Sequence, residues 1–271
     1  MLDRNLHAKI SRGLGALALV LCLIPAFAGA STGVSGAGRV VAIGDIHGAY
    51  DALVEILREV ELIDAQNQWI GGSATLVQTG DLVDRGADIR PVMDLMMRLQ
   101  QQAPAQGGEV VVLMGNHESM ALLGDVQDAS PEILASFAGE DAEKLRRDGW
   151  KTFTRWMNQL SRSRGGAGVE FDKAKKEQWM TEHPLGYFEY MQAMGPDGKY
   201  GQWLMELPVM AQIGDVIFMH AGVSPQYLEM SLDEINEWHW REIGTYLENR
   251  EKLTQQKVIP WFYNLYETNQ A

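Results

Sequence analysis

The chain has 271 residues, 46% of them hydrophobic, and a formal charge of −13. That length and apolar content support a full globular core, as one large domain or as a core with an inserted lobe, and the pattern below favours the lobe. The acidic balance excludes generic nucleic-acid binding, which needs a basic face for phosphate contacts, and it requires cations at any site that handles phosphate.

Residues 1–30 read as a signal peptide with its cleavage region. Arg4, Lys9 and Arg12 form a basic start, Leu14 to Phe27 is apolar, and Ala26-Phe27-Ala28 or Ala28-Gly29-Ala30 offers small residues to a signal peptidase. The expected location is therefore bacterial and periplasmic or secreted, with the membrane touched only through the export signal. Cys22 is the single cysteine and lies in this piece, so disulfides and thiol catalysis are excluded from the mature chain. Cleavage removes three bases and one acid and takes the charge to −15. Residues 31–38 read as a flexible leader, and residues 39–271 as the folded domain.

Within that domain, Val40-Val41-Ala42-Ile43 predicts a buried strand that ends in Gly44-Asp45-Ile46-His47-Gly48. Leu53, Ile56, Leu57 and Val60 recur at helical spacing, and Gly71-Gly72 turns the chain into a second strand, Leu76 to Thr79, which ends in Gly80-Asp81-Leu82-Val83-Asp84-Arg85-Gly86. Ile89 to Leu99 reads as a helix and Val110 to Met114 as a third strand, ending in Gly115-Asn116-His117-Glu118. This alternation implies a parallel α/β sheet. Residues 121–203 change pattern and predict a mostly helical insertion or cap, with Trp150, Phe153, Trp156 and Trp179 as its packing. Pro208 to Ile213 and Val216 to Met219 read as strand, turn and buried strand, the last delivering His220. Ser231-Leu232-Asp233-Glu234 is a capping box opening a helix to about Ile243, with a separate helix expected from Tyr246 to Gln255.

Four strand ends thus deliver polar knots to one rim, where open α/β sheets bind ligands. Asp45, His47, Asp81, Asn116 and His220 are oxygen and imidazole donors, a set suited to Mn²⁺, Fe or Zn²⁺, with Mn²⁺ preferred. Asp81, central in the set, can bridge two divalent metal ions, and two such ions can hold a hydroxide for direct in-line attack on a phosphoryl group. His117 is placed to protonate the departing alkoxide and Asp84 to orient that imidazole, while Arg85 offers a planar fork to phosphate oxygens. His183 and His239 read as ordinary cap and helix residues.

The first three knots, together with His220-Ala221-Gly222-Val223-Ser224-Pro225 as the fourth, resemble the signature blocks of the calcineurin-like metallophosphoesterases, specifically the PPP-type phosphoprotein phosphatases. Pro196 to Leu204 leading into Leu207-Pro208-Val209 is similar to their Shewanella-like bacterial branch. The resemblance implies a metallophosphoesterase-type β-sandwich flanked by helices. It also implies one metal held by Asp45, His47 and Asp81, and a second by Asp81, Asn116 and His220. His117 is then the acid paired to Asp84, and Arg85 grips phosphate. Two departures stand out. Ala221 occupies a position that is usually glycine, and no histidine follows His239 to supply a further ligand. The second leads us to expect a chain incomplete at its C-terminus, with a weakened second metal.

The function implied is a phosphomonoesterase acting on a phosphorylated protein, at Ser, Thr or Tyr, or on a small phosphate ester. The alternatives are a catalytically impaired metal- or phosphate-binding remnant and a dinucleoside polyphosphate hydrolase.

Overall fold

Three short strands form the centre of the chain. In the computed structural model, which describes residues 38–270, β1 (Val40–Ile43), β2 (Thr75–Gln78) and β3 (Glu109–Val112) run parallel in the order β1-β2-β3. The signal peptide and most of the leader lie outside the described residues. Helix α1 (Tyr50–Glu59) connects β1 to β2, and α2 (Ile89–Gln102) connects β2 to β3. Each helix buries one stripe on the sheet: Leu53, Val54 and Leu57 from α1, and Val92, Met93, Met96 and Leu99 from α2. Val54 takes the place expected of Ile56, which is exposed.

The two faces of the sheet pack differently. Leu76, Val110 and Val112 join the helices in the main core. Their alternates Val77 and Val111, with Leu113 beyond the strand, pack on Ala211, Ile213 and Phe218 of an antiparallel hairpin, β4 (Met210–Ile213) and β5 (Val216–Met219). The period of two along a strand thus builds a small sandwich with helices outside it, in agreement with the fold expected from sequence. The expectation of four fully buried strands is corrected. β2 is buried throughout, but Val40 of β1 and Val216 and Ile217 of β5 are about half exposed, because neither of the hydrophobic clusters that cover the sheets includes them.

Between β3 and β4 the described chain is helical: α3 (Asn116–Leu123), α4 (Pro131–Phe137), α5 (Ala142–Ser163), α6 (Lys173–Glu182), α7 (Tyr187–Met194) and α8 (Lys199–Leu204). Trp150, Phe153, Phe171 and Trp179 pack ring against ring there. After the hairpin, α9 (Leu232–Gln255) runs unbroken through Gly244, where two helices were expected. One helical glycine costs only about 1 kcal/mol, and burial of Ile243 and Leu247 against Leu122 of α3 outweighs it. Asn236 of α9 accepts from the amides of Val209 and Met210 and donates to the Met210 carbonyl, which fixes the hairpin to the helix. The chain ends with α10 (Leu265–Gln270), and the Leu265 amide donates to the carbonyl of Gly124, the residue that caps α3. No helix among the described residues is long and apolar enough to cross a membrane.

Candidate metal and phosphate site

The loops after β1 and β2 are fastened to each other by backbone bonds. The amides of Ile46 and His47 donate to the Asp81 carbonyl, Gly48 donates to Leu82, and Gly86 donates back to His47. Within these loops His47, Asp81, Asp84 and Arg85 all adopt positive φ, between 46° and 66°. A side chain in that region costs on the order of 1 kcal/mol, so four such residues need compensation.

Glu118 supplies it. Fully buried at the third position of α3, its carboxylate accepts from the amides of Asp81, Leu82, Val83 and Gly115 at 2.7–3.1 Å. Burial raises its pKa, and the bonds from those amides oppose the rise. Gln78, also buried, binds the carbonyls of Gly44 and Gly80 and the Gly80 amide, joining two strand ends. Neither residue was singled out from sequence. The Gly115-to-Glu118 spacing of a capping box was the available signal for the first, and none existed for the second. Gly115 has to be glycine, since a Cβ there would lie 2.3 Å from Asp81 Oδ1.

The five expected ligands converge. His47 Nδ1 donates to the Val83 carbonyl at 2.8 Å, and His220 Nδ1 donates to the Thr79 carbonyl at 3.0 Å. A carbonyl only accepts, so both rings carry a proton on Nδ1 and turn Nε2 inward. His47 Nε2 is buried without a hydrogen-bond partner, 3.6 Å from Asp81 Oδ2 and 3.9 Å from Asp45 Oδ2. His220 Nε2 lies 3.3 Å from the same Asp81 oxygen and 3.1 Å from Asn116 Oδ1. Two imidazole nitrogens, two carboxylates and an amide oxygen thus face one another at metal-ligand spacing, and this mixed oxygen and nitrogen donor set fits divalent metal. Asp45, Asp81 and His220 form one group of metal-competent atoms within 4.8 Å of one another, and His47, Asp81 and His117 another. Asp81 is common to both.

His117, buried beside these ligands, donates from Nδ1 to Asp84 Oδ2 at 2.8 Å, and Arg85 Nη2 stands 3.4 Å from its Nε2. Burial raises the Asp84 carboxyl above its ordinary value, and the bond and charge of His117 oppose that rise. A second carboxylate, Asp128, reaches within 3.9 Å of the same His117 Nδ1, which the sequence gave no reason to expect. Ala221 has no positive φ, so a non-glycine residue is accommodated where the resemblance expects glycine. A cavity of about 530 Å³ opens beside Asn116 and His220, walled by Met120, Met219 and Ile235 and by His239, which sequence reasoning had set aside.

Residues 38–269 match the model of the calcineurin-like phosphoesterases. The chain belongs to that family. Among curated phosphoesterases of this kind it is 28% identical over 200 residues to Shewanella-like protein phosphatase 2 of Arabidopsis thaliana, covering 73% of this chain and 50% of that one. It is also 28% identical over 199 residues to Shewanella-like protein phosphatase 1 of Plasmodium berghei, covering 73% and 43%. A cold-active protein tyrosine phosphatase of known structure superimposes with a TM-score of 0.54 at 28% identity, covering 77% of this chain and 48% of that chain. The similarity therefore lies with the Shewanella-like branch of the PPP phosphatases. The chain spans about half the length of the curated relatives it matches.

Proposed function

We propose that this phosphoesterase is a Mn²⁺-dependent phosphomonoesterase that acts on phosphorylated Ser, Thr or Tyr side chains of proteins. The observation that carries the reading is the convergence of the Nε2 atoms of His47 and His220 on the Asp81 carboxylate, beside the His117–Asp84 pair. Asp45, His47 and Asp81 would hold one divalent ion, and Asp81, Asn116 and His220 the other. Ions bound there supply Lewis-acid stabilisation of phosphoryl charge and activation of water.

The chain's own residues do the rest. Arg85 can only donate, so its contact with His117 Nε2 finds that atom carrying a lone pair. When the guanidinium forks onto substrate phosphate, Nε2 is freed to take up a proton from solvent and pass it to the departing ester oxygen, and Asp84 holds the imidazolium in orientation between the two transfers. The proposal extends to export through residues 1–30, on the strength of their basic, apolar and small-residue sequence.

The test is metal content and hydrolysis of p-nitrophenyl phosphate with added Mn²⁺. We expect about two ions per chain, and in Asp81→Asn a loss of at least about 100-fold in kcat with unchanged circular dichroism. Retained hydrolysis in that variant would refute the bridging role, and two ions without turnover would leave a binding remnant. Product analysis on a phosphopeptide and on a dinucleoside tetraphosphate separates protein phosphatase from dinucleotide hydrolase.

A further inference from the structure

The charge of this acidic chain is not evenly spread. Helix α5 with its two caps, Asp141 and Arg164, holds seven bases and three acids, whereas the rest of the chain holds sixteen bases and thirty-three acids. A body of net −17 thus carries one helix of net +4. Glu143 pairs with Arg146 and Arg147, and Asp148 pairs with Lys151. Arg155 and Arg162 form no ion pair among the described residues, and both are exposed.

The geometry orders these charges. Lys151, Thr154, Arg155, Asn158, Gln159 and Arg162 stand at i, i+3, i+4, i+7, i+8 and i+11, on one face of the helix, and line a shallow open groove of about 710 Å³ between side chains of α5 alone. The stripe is polar from end to end and about 16 Å long at the rise of a helix. The opposite stripe, with Leu145, Trp150, Phe153 and Trp156, packs on the core, so the groove face is the one the fold leaves outward.

We propose that this groove docks an acidic segment of a partner polypeptide, about five residues long if extended. Charge complementarity selects an anion, and the planar guanidinium forks of Arg155 and Arg162 suit carboxylates. Short length is favoured because a long polyanion such as duplex nucleic acid would run onto the acidic body and be repelled. A lipid surface fits less well: interfacial helices keep bulky apolar side chains exposed beside their bases, and none of the exposed large apolar residues lies on α5. The inference does not depend on the phosphatase reading.

Fluorescence anisotropy of a labelled hexaglutamate peptide with the full chain tests it. We expect saturable binding at about 50 mM NaCl that weakens several-fold at about 300 mM. Reversing both arginines, Arg155→Glu with Arg162→Glu, should weaken binding about ten-fold or more. Lys173→Glu with Lys176→Glu makes the same net change on α6 and should alter it by no more than about two-fold. Circular dichroism and turnover of p-nitrophenyl phosphate report folding of both variants. Absence of saturation, equal loss in the two variants, or a preference of the groove for phosphatidylglycerol vesicles or duplex DNA over the peptide overturns the proposal.

Discussion

Glu118 shows how much of this site depends on a residue that touches no ligand. Its two oxygens satisfy the amides of Asp81, Leu82 and Val83, in the loop that also carries Asp84 and Arg85, and the amide of Gly115 at the start of its own helix. Glutamine there keeps the shape but turns a donor toward amide donors and removes the charge. Glu118→Gln should cost about 2–4 kcal/mol in urea unfolding and lower Mn²⁺ affinity, measured by calorimetry. Unchanged metal affinity in that variant would mean that the loop holds itself. The candidate ligands were legible in the sequence because each lies at or just after the end of an apolar run, with a glycine between for Asp45, Asp81 and Asn116 and none for His220. The compensating carboxylate was not, since its partners lie up to thirty-seven positions away and only the fold brings them near.

At the scale of elements, the β4–β5 hairpin aims His220, and its grip on the parallel sheet runs through Val77, Val111, Leu113, Ala211 and Ile213. Ile213→Ala should cost about 2–5 kcal/mol and lower metal affinity, because His220 loses its fixed register. The C-terminal segment makes a different contact. His183 of α6's end is buried, donates from Nδ1 to the Trp179 carbonyl, and sets its bare Nε2 3.5 Å from Glu267 Oε1 on α10. Burial lowers the imidazole from 6.5 to about 4 and raises the carboxyl from 4.5 to about 7. The carboxyl's contribution to stability is lost as pH rises from 4.5 through 7, and the imidazole's grows as pH rises from 4 to 6.5. The two slopes oppose each other, so the pair leaves stability nearly flat between pH 4.5 and 6.5. Glu267→Gln removes one of them, and stability should then climb by roughly 3 kcal/mol from pH 4 to 6.5, read as urea midpoints. A flat profile in the variant would show that His183 titrates normally.

At the scale of the whole molecule, a phosphate substrate of the proposed kind would meet charge of its own sign. A net charge of −13 repels a phosphate dianion at long range, and salt screens that repulsion. Raising ionic strength from about 20 to 200 mM should increase kcat/KM for a small phosphate ester by about two- to three-fold, seen in initial rates with Mn²⁺ saturating. A fall over that range would show that local attraction at the site governs capture.

The sequence by itself determined the order of elements, the parallel run of the first three strands and the identity of the donors at their ends. Periodicity and turn residues report on chain neighbours, and these features are set by chain neighbours. Tertiary structure alone decided that β1 and β5 stay partly exposed, that α9 continues through Gly244, that both ligand imidazoles carry their proton on Nδ1, and that one helix keeps its unpaired bases on the outside. Each of these depends on contacts between residues remote in sequence, where burial and the position of a single carbonyl choose among states the local pattern leaves equal in energy.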